Sequence, residues 1–171
     1  MLIKIEDYAK HGLDASAEPS LAAIEAKIRS CTGNSFQVRT ARVEAQSVGG
    51  ALYGASRYWR VGDTVHVSIP ESNAGIYVVK AIEDGKTTFD RELFDEPFNR
   101  ATLVRYPSDV VGGAIGIYEY EKAMPKAKVA VASESLSRHS VTYRQVSAED
   151  MFAGYPAEVT AFMKPYMRAR F

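Results

Sequence analysis

One cysteine, Cys31, among 171 residues has no partner for an internal disulfide and cannot by itself build a cysteine-based metal site, which fits a reducing compartment. Histidine is nearly as scarce. His11, His66 and His139 lie far apart, and none has a second histidine or a cysteine at metal-ligand spacing. No apolar run approaches bilayer-spanning length, and Glu6 and Asp7 fall where a signal peptide would carry its apolar stretch. Neither sign of charge is in excess: 21 Lys and Arg balance 21 Asp and Glu, so no net field draws the whole molecule onto nucleic acid or an anionic membrane. Repeats and low-complexity tracts are missing as well. The chain reads as a cytosolic product with no membrane association and no cofactor.

What is present is an ordinary globular composition, 46% hydrophobic and 25% charged, in a length suited to one domain or two small ones. Ala17-Glu18-Pro19 opens a helix, with proline in the first turn and Glu18 near the positive end of the helix dipole. Leu21, Ile24, Ile28 and Cys31 give it one apolar stripe, and Thr32-Gly33-Asn34 closes it. The period then changes to two. Phe36 and Val38 alternate with Gln37 and Arg39, and Val65, Val67 and Ile69 alternate with Thr64, His66 and Ser68, so both stretches are expected as strands. Further strands are expected over Ile76–Ile82, Thr87–Phe89 and Ala101–Tyr106, separated by turn-forming clusters at 47–50, 70–75 and 83–86.

A second helix is expected from Pro107-Ser108-Asp109 to Met124-Pro125, with Val110, Val111, Ala114, Ile115, Ile117 and Tyr118 supplying its apolar surface. Gly112, Gly113 and Gly116 inside it each cost about 1 kcal/mol against alanine, which implies close backbone packing in return. Lys128–Ser135 and Ser140–Gln145 read as extended arms around a polar turn. A last helix starts at Pro156, faces inward with Val159, Phe162, Met163 and Tyr166, and has to kink or tighten at Pro165.

The run Tyr58-Trp59-Arg60-Val61-Gly62-Asp63-Thr64-Val65, followed by Gly75-Ile76-Tyr77-Val78-Val79 and a short hairpin, resembles a small SH3-like β-barrel. The expected class is therefore α+β: a helical framework over 1–42 and 106–171, a helix bundle with extended arms, carrying an inserted SH3-like antiparallel β-module over 43–105.

Glu134-Ser135-Leu136-Ser137-Arg138-His139-Ser140-Val141-Thr142-Tyr143, then Gly154-Tyr155-Pro156, then Lys164-Pro165-Tyr166-Met167-Arg168-Ala169-Arg170-Phe171 together resemble the head-to-tail connector (adaptor) proteins of long-tailed bacteriophages and prophages. Thr32-Gly33-Asn34-Ser35-Phe36 and Tyr106-Pro107-Ser108-Asp109-Val110 are similar to that family too, whereas the β-module departs from its smallest, nearly all-helical members. The resemblance implies a structural protein of the virion neck, made in the host cytoplasm. It would form a homo-oligomeric ring, a dodecamer, under the portal protein, present its lower face to a stopper or tail-completion protein, and let DNA pass through its lumen without sequence readout.

Extended arms with unpaired backbone groups invite strand addition from a neighbouring copy, which marks Ser133, Glu134, Ser135, Leu136, Ser137, Arg138, His139, Val141 and Tyr143 as an inter-subunit arm. Lys164, Tyr166, Met167, Arg168, Arg170 and Phe171 form a cationic and aromatic end of the kind enriched in interface anchors, and they are the expected portal-docking residues. An alternative function is an SH3-like module that binds a peptide or nucleic acid through Trp59 and the neighbouring Tyr53, Tyr58 and Tyr77, with Arg57 and Arg60 beside them. Those same aromatics can equally fill a small barrel. The acidic run Asp90, Glu92, Asp95 and Glu96 can be read as a cation site or as a solvated loop. Gly112-Gly113-Ala114-Ile115-Gly116 lacks the Lys-Ser or Lys-Thr of a phosphate loop, and Glu119 and Glu121 face different sides of a helix. No catalytic or metal-binding set is expected, and the protein is read as a non-enzyme.

Overall fold

In a computed structural model that describes residues 2–123, 133–136, 139–142 and 151–168, the chain is a mixed α+β protein with an antiparallel sheet. It divides into two compact units, Met1–Ala15 with Asn34–Pro107, and Ser16–Gly33 with Ser108–Phe171.

The first unit is a closed barrel of six strands: β1 (Gln37–Val48), β2 (Ala51–Leu52), β3 (Thr64–Ile69), β4 (Gly75–Glu83), β5 (Lys86–Phe89) and β6 (Glu96–Val104). Around the barrel the order is β1-β2-β5-β4-β3-β6, and β6 pairs back onto β1, every pairing being antiparallel. Alternation decides what goes inside. Val65, Val67, Ala101 and Leu103 point in from β3 and β6, and Leu52, Trp59, Tyr77, Val79, Phe89 and Leu93 complete the core. Val65 pairs with Leu103 and Ile69 with Arg100, while Ser47 pairs with Glu96. This register sends the chain before Thr64 to one end of the barrel. It sends the loops after Val48 and Ile69, and the loop before Glu96, to the other.

The barrel unit is larger than the module expected over 43–105. Strand β1 already starts at Gln37, and the N-terminal stretch belongs with the barrel, where Lys4 pairs with Asp63 at 3.0 Å. The alternation over 36–39 reads as a strand but falls in the range expected for the framework; it is the start of β1, which runs on through the exposed Arg39 and Thr40 into the barrel. Strand β6 likewise begins at Glu96 rather than Ala101. A 3-10 helix over Ile5–His11, which no periodicity announces, precedes all of this and buries Tyr8.

The second unit holds α1 (Glu18–Thr32) and α2 (Ser108–Ala123). Leu21, Ile24 and Ile28 are buried along α1, as their spacing predicts, and Gly33 ends the helix in the left-handed conformation at φ 61°. Val110, Ala114 and Ile117 are the buried face of α2. Of the three glycines in α2, only Gly113 answers the expectation of close packing: Phe162 lies against it, while Gly112 and Gly116 face open space.

Strands β7 (Ser133–Leu136) and β8 (His139–Thr142) form an antiparallel hairpin, and β9 (Met151–Phe152) pairs with β10 (Tyr155–Pro156). The terminal helix is shorter than expected. One α-helical turn, α3 (Ala157–Thr160), tightens into a 3-10 helix over Ala161–Tyr166 that contains Pro165. Its buried residues are Thr160 and Met163, while Val159, Phe162 and Tyr166 are half-buried.

Candidate functional site

The C-terminal segment is held in place up to Arg168. Tyr166 donates its hydroxyl to the Asp109 carboxylate, 2.8 Å from both oxygens, at the first turn of α2. The backbone N–H of Arg168 donates to the Thr32 carbonyl at 2.8 Å, on the last residue of α1. Asp109 holds the Tyr166 hydroxyl above its ordinary titration value, because losing that proton would leave a phenolate facing a carboxylate. Lys164, Met167 and Arg168 are exposed on this anchored segment. Arg170 and Phe171, the other two expected docking residues, lie outside the described residues.

Next to it a second tyrosine ties α1 to α2. Tyr155 is buried, donates its hydroxyl to Glu121, and accepts a hydrogen bond from Lys27 Nζ at 3.0 Å. Tyr120 meets its ring edge-on with centroids 6.3 Å apart. Burial, with the Glu121 carboxylate second, pushes the Tyr155 hydroxyl up. Gly154-Tyr155-Pro156 thus serves as an internal brace of the second unit.

Of the expected inter-subunit arm, Ser133, Glu134, Ser135, Leu136, His139 and Val141 lie on the hairpin, with Glu134 opposite Val141 and Leu136 opposite His139. Ser137, Arg138 and Tyr143 lie outside the described residues. Among the described residues β7 pairs only with β8, so each strand keeps one outer edge.

In the barrel, Trp59 is 1% exposed and donates its indole N–H to the Ala41 carbonyl at 3.0 Å. It fills the barrel and is no ligand platform. Tyr77 is buried with it, whereas Tyr53 and Tyr58 are exposed. Arg57 stacks over Tyr58 and donates to its hydroxyl at 2.6 Å, and Arg60 donates back to the carbonyls of Arg57 and Trp59, both at 2.8 Å.

The acidic run is a set of loop clamps. Asp90 accepts from the Val78 N–H at 2.8 Å, Asp95 from the Gly49 N–H at 2.7 Å, and Glu96 from the Ser72 hydroxyl at 2.6 Å. Beneath it lies a polar network that the sequence did not disclose. Asn73 and Asn99 are fully buried; Asn73 donates to Asn99 Oδ1 at 2.7 Å and to the Phe94 carbonyl at 2.9 Å, and accepts from the Phe94 N–H at 2.8 Å. The Ser47 hydroxyl donates to the same Phe94 carbonyl at 2.6 Å. Turn formers such as Asn73 read as surface residues, and the network forms where the 3-10 turn Glu71–Asn73 meets Asn99 of β6, a pairing that leaves no local trace in the sequence.

His66 takes the Gln37 side-chain amide at 2.8 Å on the outside of β3, and His11 is exposed at the end of the N-terminal 3-10 helix. Among the described residues no group of three or more His, Cys, Asp or Glu is placed to hold a metal ion, and no helix is long and apolar enough to cross a membrane. Comparison with known protein families and with curated proteins finds no match for this chain.

Proposed function

We propose that this chain is a head-to-tail connector of a long-tailed phage or prophage: a non-enzymatic structural protein of the virion neck whose copies form a ring beneath the portal. The observation that carries the reading is the second unit, in which α1 and α2 anchor a basic C-terminal segment and a hairpin keeps free outer edges. In this reading the hairpin edges take a strand from the next copy in the ring. Lys164, Met167 and Arg168, held outward by the Tyr166–Asp109 bond, make first contact with the portal, and the residues after them complete the docking. The helices and arms form the connector framework, and the barrel is an SH3-like insertion. DNA passes through the lumen and the stopper closes the lower face.

Preorganisation supports this assignment of roles, since an end already ordered up to Arg168 loses less entropy on docking than a frayed one. The test is electron microscopy of the purified protein mixed with its cognate portal, alongside a chain ending before Lys164. A ring added by the full chain and not by the truncation is the expected result. Portals left bare by both would overturn the reading.

A further inference from the structure

The barrel carries an acidic loop at one end and, at the other, a loop with two arginines and no carboxylate of its own, beside the exposed Glu83-Asp84 turn. At the end beyond Ile69 and Val48, the loop from Asp90 to Glu96 carries four carboxylates and one arginine, and that arginine is folded back onto Tyr77 and the Ile76 carbonyl. In the middle of this loop Phe94 is 69% exposed, although its backbone is among the most tightly held in the unit. Its N–H and its carbonyl are both bonded to the fully buried Asn73, and Ser47 donates to the carbonyl as well. Val48, Ile69 and Phe98 are large exposed apolar residues of the same end. An aromatic ring fixed by a buried network, with acids around it, is a preorganised anchor: immobilising it on a partner costs little further entropy.

The loop leading into Thr64, at the other end, has the complementary character. Residues 53–62 include Arg57 and Arg60 and no carboxylate, and Tyr58 and Val61 are exposed there, Val61 at 60%. Hydrogen bonds from Arg60 to two carbonyls of its own loop hold this surface rigid too. Two acidic rims would repel one another, and so would two basic loops, so self-contact through like ends is disfavoured. Rim against loop pairs opposite charges around an aromatic and aliphatic centre. Because each copy bears both surfaces, such a contact is head-to-tail and repeats from copy to copy.

We propose that the barrel's acidic Phe94 rim docks on the Arg57–Arg60 loop of a second copy of this chain. This contact supplies the barrel-level junction of the ring proposed above and rests on that reading, but it is measured on the chain alone, so its failure and a failure to bind portal are separate results.

The experiment is sedimentation velocity of the full-length protein at low salt over a wide concentration range. It compares the natural chain with Phe94→Ala, with a loop-reversed variant (Arg57→Glu, Arg60→Glu) and with a rim-neutralised variant (Glu92→Lys in the rim loop with Glu71→Lys in the 3-10 turn Glu71–Asn73 that follows Ile69), each checked by circular dichroism for native folding. The natural chain is expected to self-associate, and each variant to weaken that by about tenfold or more. Mixing the two charge variants sets the acidic rim of the loop-reversed chain against the basic loop of the rim-neutralised chain, so pairing is expected to return in the mixture only. A natural chain that stays monomeric up to its solubility limit, a folded Phe94→Ala that associates as well as the natural chain, or charge variants that stay apart when mixed would each overturn the proposal.

Discussion

The ring of Phe162 lies where a Cβ on Gly113 would stand: the three atoms nearest that position, Cδ1, Cε1 and Cγ, all belong to it. A whole aromatic ring therefore occupies the space that any other residue at 113 needs. We expect Gly113→Ala to destabilise the second unit by about 1–3 kcal/mol as the ring is displaced. Gly112→Ala, facing open space, should stabilise by about 0.5–1 kcal/mol through helix propensity. Urea denaturation followed by circular dichroism separates the two, and equal effects at both positions would contradict this packing.

Trp59 acts on the barrel in two ways, by filling its interior and by satisfying the Ala41 carbonyl. Trp59→Ala should cost about 3–5 kcal/mol, enough to unfold a small barrel near ambient temperature. Trp59→Phe keeps most of the volume and leaves one buried carbonyl unpaired, for a loss of about 1–3 kcal/mol. Thermal melts of both variants read the difference directly.

Replacing Asn73 removes the partner of the Phe94 N–H and one of the two donors to its carbonyl, leaving that of Ser47. In Asn73→Ala the amide of Phe94 should exchange hydrogen far faster than in the natural protein, while the amides of Val65 and Val67 in the barrel wall change little. The accompanying stability loss is about 1–3 kcal/mol for each buried polar group left unpaired. Hydrogen exchange read by mass spectrometry resolves the loop from the wall. A loop that stays protected would show that something other than Asn73 fixes it.

The Tyr155 brace sets an alkaline limit on the second unit. Burial raises its folded titration above the unfolded value of 10.0, so above that value the folded state holds a proton that the unfolded state has released. Stability from this group is fully present below about pH 10 and falls as pH rises beyond it. Tyr155→Phe should flatten that alkaline decline while lowering stability at neutral pH, because Glu121 and Lys27 lose their shared hydroxyl. Denaturation curves collected on either side of pH 10 test both halves of the statement.

Both long helices are legible from apolar residues between clear start and stop residues, but which of them are buried is not: Cys31 of the α1 stripe, and Val111, Ile115 and Tyr118 among the six apolar residues of α2, are half-buried. The strands from Thr64 to Phe89 were legible from alternation for the same kind of reason. Glu96-Pro97-Phe98-Asn99 was not, because the inward residue there is a buried asparagine, which inverts the usual pattern. The terminal helix was misjudged in length: Pro165 was seen to tighten the chain, but the tightening reaches back to Ala161. For the candidate site, Tyr166 was singled out from composition, yet its bond to Asp109 spans 57 residues and leaves no local trace. The two readings of Trp59, platform or core, could be separated only by knowing which way its side chain points.

Closure of the six strands has a consequence for life at high concentration. An open sheet of this size would offer two rows of unpaired N–H and C=O groups, and such rows template fibrils when many copies are crowded together. In the barrel β6 returns to β1, and the two-residue β2 closes the order between β1 and β5. Closure shortens the edge that a crowded neighbour could extend, so cross-β growth from the barrel is disfavoured and association through side chains, with a defined stoichiometry, is favoured.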